Sequence, residues 1–139
     1  RQALLDLGAK VTLASPGTDP IQGMKHAEKG ATITPDITLD QVDCDEFDML
    51  LLPGGVANPD ALRMEERAVE IAQEFADDDK PIAAICHGPW LLVEAEIIAR
   101  SDEKTIAGFP VFAVTPSLPT QAIELPATAI VWRAWSPKT

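Results

Sequence analysis

Two rhythms of apolar and polar positions run along the chain. In "KVTLAS" (Lys10–Ser15) β-branched and apolar residues recur at alternate positions and Pro16-Gly17 follows, which predicts a strand ended by a turn. Ahead of it, Ala3, Leu4 and Leu7 share one helical face and Gly8 offers a C-terminal stop, predicting the end of a helix. Residues 18–45 are mixed, with extended pieces near 31–34 and room for one short helix. Met49–Leu52 and residues 81–85 are continuous apolar runs of strand length, the pattern of strands covered on both faces. Residues 58–80 predict one helix, with Asp60 as N-cap and Val69, Ala72, Phe75 and Ala76 on its apolar face, and residues 88–99 predict another. Strand, helix, strand, helix in this order predicts an α/β fold, a parallel sheet sandwiched between helices.

Composition narrows the function. The formal net charge of −11 argues against nucleic acid as a partner, because phosphate binding relies on clustered Lys and Arg. The first residues contain no signal-like apolar run, and no window approaches the ~20 apolar residues of a membrane span. Cys44 and Cys86 form no CxxC pair and no Cys/His cluster at metal-ligand spacing, so a reduced, cytoplasmic protein without a metal is expected. Beyond Lys104 the only charged residues are Glu124, Arg133 and Lys138, which separates a domain over 1–110 from an atypical, Pro-rich tail over 111–139.

The candidate chemistry lies in "PIAAICHGPW", where an apolar strand runs into Cys86, His87 and Gly88. Open parallel sheets bind ligands beyond the carboxyl ends of their strands. A cysteine on a sharp strand-to-helix turn there is a nucleophile elbow, and a helix N-terminus with a nearby cation favours the thiolate. The backbone N–H of His87 suits an oxyanion hole and its imidazole suits proton transfer, although neighbouring side chains ordinarily diverge. Gly54 and Gly55, after the other apolar strand, lack a Cβ and let a second backbone N–H approach the same oxyanion. The bland alternative is that Cys86 is a small buried hydrophobe. Cys44 lies among carboxylates that disfavour its thiolate, His26 reads as a solvated loop residue, and the acidic run 77–79 as a solvated helix end.

"DMLLLPGG", "NPDALRMEERAVEIAQEF" and "KPIAAICHGPWLL" resemble the PfpI-type intracellular protease family, related to the parkinsonism-associated deglycase and to class I glutamine amidotransferases. The resemblance runs from residue 1 to about 108 and is most specific at 53–55 and 84–89. It implies a flavodoxin-like sandwich, Cys86 as nucleophile, and the amides of Gly55 and His87 at the oxyanion. It also implies an acidic residue, Asp60 here, that reaches the His of a neighbouring subunit in a homo-oligomer of two or more copies. The resemblance implies a central strand and a glutamate-bearing loop ahead of the point where residue 1 aligns, and neither the further strands nor the closing helix of the family is expected from "TPSLPTQAIELPATAIVWRAWSPKT". A truncated or frame-shifted product is therefore expected, with a divergent C-terminal extension as the alternative.

The function expected is a cysteine-dependent hydrolase or lyase of the PfpI type. Cys86 attacks a peptide carbonyl or a small aldehyde such as a glyoxal or its adduct, while His87 and Asp60 move protons. The Gly-Gly turn lacks phosphate-cradle spacing, so no cofactor is expected. The alternative is a redox-sensing or chaperone-like stress protein that uses the same thiol.

Overall fold

A computed structural model describes residues 1–25, 28–98, 111–114, 123–124 and 129–133. His26 lies outside them. The strands are β1 (Lys10–Ser15), β2 (Ile21–Lys25), β3 (Glu28–Ile33), β4 (Ile37–Thr38), β5 (Met49–Leu52), β6 (Ile82–Ile85), β7 (Val111–Val114), β8 (Ile123–Glu124) and β9 (Ala129–Arg133). The α-helices are α1 (Gln2–Asp6), α2 (Ala57–Leu62), α3 (Glu66–Asp77) and α4 (Pro89–Glu94). Short 3-10 turns at Leu39–Gln41 and Cys44–Glu46 stand where the sequence suggests one short helix.

The principal sheet has the order β4-β1-β9-β5-β6-β7. β1 runs parallel to β4, and β5, β6 and β7 run parallel to one another, so five strands share a direction. β9 enters between β1 and β5 and is antiparallel to both. The sheet is thus the expected parallel sandwich with one reversed strand at its centre. A second, three-stranded sheet has the order β3-β2-β8.

Period-two alternation explains the two covered faces. Leu50, Leu52, Ile82 and Ala84 point into one core with Ala68, Ile71, Ala72 and Phe75 of α3 and Leu91 and Leu92 of α4. Val11 and Leu13 point the other way, into a smaller cluster joined by Leu4 of α1, Ile33 and Leu51. Only Leu4 of the expected α1 face packs there; Leu7 is 83% exposed. Among the described residues no helix is long and apolar enough to cross a membrane.

Three expectations change in the structure. The helix over 58–80 is two helices, because the chain turns at Arg63 and Met64 and Glu65 is extended (φ −91°, ψ 111°) before α3 begins. Asp60 therefore sits inside α2 and is not its N-cap, a place held by Val56. Residues 115–139, from which no further strands are expected, supply β9 to the main sheet and β8 to the three-stranded one. Proline excludes a central strand only where it falls within it; "AIVWR" lies between Pro126 and Pro137 and contains none.

The acidic run 77–79 closes α3. Asp79 takes a left-handed φ of 56° and Lys80 N–H donates to Phe75 O at 2.9 Å, which caps the last turn. The Lys80 ammonium pairs with Asp78 at 2.8 Å, offsetting like charge at a helix C-terminus.

Candidate active site

The carboxyl ends of β5 and β6 lie side by side, with Leu52 in register with Ala84. Each strand turns sharply there, and the two turns are in contact. An ideal Cβ on Gly54 would stand 2.7 Å from Cys86 Cβ and 2.9 Å from Ile85 O, so only glycine lets the β5 turn touch the β6 elbow. The fit is reciprocal, because a Cβ on Gly88 would stand 2.8 Å from Leu52 O. Asn58, buried on α2, holds the first turn by donating its Nδ2–H to Pro53 O at 3.0 Å. No apolar period marks a lone buried amide, so Asn58 escapes sequence reading.

Cys86 occupies the elbow. Among the described residues, the non-glycine positions with left-handed φ are Asp79, Cys86 and Glu96. Asp79 and Glu96 terminate α3 and α4, whereas Cys86, at φ 57°, lies between a strand and a helix. A side chain in this region costs roughly 1–2 kcal/mol, and such strain concentrates at functional sites. It is stabilised here by turn hydrogen bonds: Gly88 N–H donates to Ile85 O at 2.8 Å and Trp90 N–H to His87 O at 3.0 Å. The thiol is exposed, so Cys86 is not the buried small hydrophobe of the bland reading.

His87 reaches its neighbour. Its Nδ1 lies 3.1 Å from Cys86 Sγ. The divergence expected of adjacent side chains presumes extended or helical backbone, and the left-handed turn at Cys86 removes it. His87 is half-buried and its ring meets Trp90 edge-to-face, with centroids 4.7 Å apart and planes at 70°.

Asp60 is engaged elsewhere. Its carboxylate accepts from Arg63 Nε at 2.9 Å and pairs with Arg63 NH2 at 2.8 Å, and Arg63 also approaches Glu94 of α4 at 3.6 Å. Within one copy Asp60 and Arg63 thus join α2 to α4. Arg63 is a residue that sequence reading missed, although its i,i+3 spacing from Asp60 is the signal for such a pair.

Cys44 differs from Cys86 in every respect. It is 4% exposed, its carbonyl accepts from Lys80 Nζ at 2.9 Å, and its thiol meets the Glu74 carboxylate. Burial first, and then the Glu74 hydrogen bond and charge, push the thiol from its ordinary 9.0 up to about 12, against the opposing charges of Arg67 and Lys80. The sequence expects carboxylates to disfavour this thiolate, and they do. The one responsible comes from α3 rather than from the adjacent Asp43, Asp45 or Glu46. Glu74 itself is held below the usual carboxylate range, chiefly by its hydrogen bond from Arg67.

The fold favours the protonated Cys44 thiol. Its contribution is therefore complete below pH 9.0 and is lost as pH rises toward about 12. Thermal melts of wild type between pH 8 and pH 11 should show a falling Tm, with up to about 4 kcal/mol at stake across the full titration. Cys44→Ala should start lower and fall less steeply; parallel curves for the two proteins would contradict this assignment.

A parallel sheet between helices, with a cysteine elbow at its carboxyl edge, fits the class I glutamine amidotransferase-like superfamily. Residues 1–120 match the DJ-1/PfpI family, and the chain belongs to it. It is 45% identical to "Deglycase TK1284" of Thermococcus kodakarensis over 91 residues, 66% of this chain and 52% of that protein. It is 44% identical to "Deglycase PfpI" of Pyrococcus furiosus over 95 residues, 68% of this chain and 54% of that protein. The chain thus spans about half the length of the curated relatives it matches. A crystal structure of a two-domain protein from Anabaena variabilis, containing DJ-1/ThiJ/PfpI-like and ferritin-like domains, superposes with a TM-score of 0.53. At 24% identity, over 80% of this chain and 34% of that one, it shows the shared fold.

Proposed function

We propose that the protein is a cysteine-dependent hydrolase or lyase of the PfpI type, with Cys86 as its nucleophile. The observation that carries this reading is an exposed cysteine in a left-handed elbow with Sγ 3.1 Å from His87 Nδ1. Relatives named deglycases support it. The Cys86 thiol passes its proton to His87 Nδ1 as sulfur bonds to an electrophilic carbon, and the carbonyl π pair moves onto oxygen. That carbon belongs to a peptide carbonyl or to a small aldehyde such as a glyoxal or its adduct. The resulting oxyanion is stabilised by N–H donors from Gly55 and His87, which suits the contact between Gly54 and Cys86. With a peptide, the C–N bond breaks as His87 gives its proton to the departing amine, and water then hydrolyses the thioester to free the thiol and an acid; with an aldehyde, the proton goes to the oxyanion to give a hemithioacetal. In a homo-oligomer Asp60 acts on the His87 of a neighbouring copy once it leaves Arg63. A reducing, cytoplasmic setting keeps both thiols free.

Purified protein incubated with methylglyoxal, and separately with a fluorogenic peptide, tests this. Consumption of either by wild type, lost at least a hundredfold in Cys86→Ser, is the expected result. If both proteins are inert while peroxide oxidises Cys86 selectively, the exposed thiol serves redox sensing instead.

A further inference from the structure

Contact between the side chains of consecutive residues needs something to hold it, and Trp90 is placed to do so. Trp90 is the second residue of α4, three positions beyond His87, and its ring meets the imidazole edge-to-face at 4.7 Å and 70°. The imidazole thus packs against the indole while its Nδ1 lies 3.1 Å from Cys86 Sγ. Docking of α4 on the core does not need this side chain. Leu91 and Leu92, 1% and 0% exposed, fill the core, whereas Trp90 is 39% exposed. A large aromatic residue left at the surface, with its ring against the one imidazole that touches the elbow thiol, matches a role in the site better than one in the core.

We propose that Trp90 is a positioning residue for His87. Its ring restricts the imidazole to the rotamer that sets Nδ1 on Cys86 Sγ, so proton exchange between them occurs without a search over His87 rotamers. This rests on the reading of Cys86 as nucleophile and His87 as its proton partner. Removing the ring frees the imidazole and leaves the thiol without a fixed partner.

The test compares wild type with Trp90→Ala, Trp90→Leu and Trp90→Phe, each checked for folding by far-UV circular dichroism. Iodoacetamide alkylation of Cys86 at pH 7 is expected to slow about three- to tenfold in the Ala and Leu variants, the range of one aromatic pair contact. Their pH–rate profiles should converge on that of His87→Ala, and Phe should restore most of the wild-type rate. Methylglyoxal turnover, where present, should lose kcat with KM little changed. A second readout is the ring-proton NMR signals of His87, which Trp90 shifts by its ring current; the only other histidine is His26. Beyond the loss of the indole ring current, nuclear Overhauser contacts from the His87 ring protons to Cys86 Hβ should weaken in the Leu variant and persist in the Phe variant. Unchanged alkylation profiles in the folded Leu variant, or His87–Cys86 nuclear Overhauser contacts that persist in it, overturn the proposal. Neither readout requires turnover, so a Cys86→Ser protein that still consumes methylglyoxal would refute the nucleophile reading separately.

Discussion

Gly54→Ala is expected to reduce Cys86-dependent turnover by about a hundredfold, the cost of displacing a reacting group by roughly 1 Å. The new methyl would stand 2.7 Å from Cys86 Cβ and 2.9 Å from Ile85 O, and neither obstacle is the movable end of a flexible side chain. The β5 turn and the β6 elbow must therefore separate. Separation alters the φ of 57° that presents Cys86 to His87 and, on the proposed mechanism, takes the Gly55 N–H away from the oxyanion. Overpacking at such a contact also destabilises by about 1–3 kcal/mol, which urea unfolding would register as a lower midpoint at unchanged slope. Gly17→Ala is the matched control, because nothing lies within 4 Å of a Cβ at that turn. A Gly54→Ala protein with wild-type alkylation and turnover would mean that the two turns are not coupled.

A chain ending at residue 128 is expected to lose cooperative folding. β9 forms five register pairs with β1, from Lys10↔Arg133 to Ala14↔Ala129, and three with β5, from Met49↔Trp132 to Leu51↔Ile130. Without it, β1 and β5 present unpaired backbone edges in the middle of the sheet, where strand edges template aggregation. Domains of this size are stable by only about 5–15 kcal/mol, and the loss of a central strand is of that order. Urea titration followed by circular dichroism should show a broad, non-cooperative change, and light scattering should rise. A sharp transition with the wild-type slope would show that the sheet closes without β9.

The sequence made some of this legible for identifiable reasons. β5 and β6 are unbroken apolar runs, and 53–55 and 86–88 carry turn residues that have few alternatives, so both walls of the site can be read directly. Helix continuity could not be read across 63–65, where no proline or glycine marks the break between α2 and α3. Asp60 was consequently misplaced as a cap, when its use within the chain is the ion pair with Arg63. The Cys86–His87 contact was hidden by the left-handed backbone, which no residue type announces at a cysteine. Trp90 stands at i+3 from His87, a helical-neighbour spacing that exposes the pair once α4 is known to begin at Pro89. The proline content of the tail concealed β9, because composition averages over segments while pairing depends on the few residues between the prolines.

The position of β9 has a consequence for the order of events during synthesis. It is the last described strand to leave the ribosome and the third in the sheet, so β1 waits more than a hundred residues for its partner. High contact order of this kind slows folding. Until β9 arrives, β4-β1 and β5-β6 have no ladder between them in the strand order, and are linked through side-chain packing, as of Ala14 and Ile37 on the shared core. The Cys86 elbow therefore leaves the ribosome well before the sheet that carries it can close.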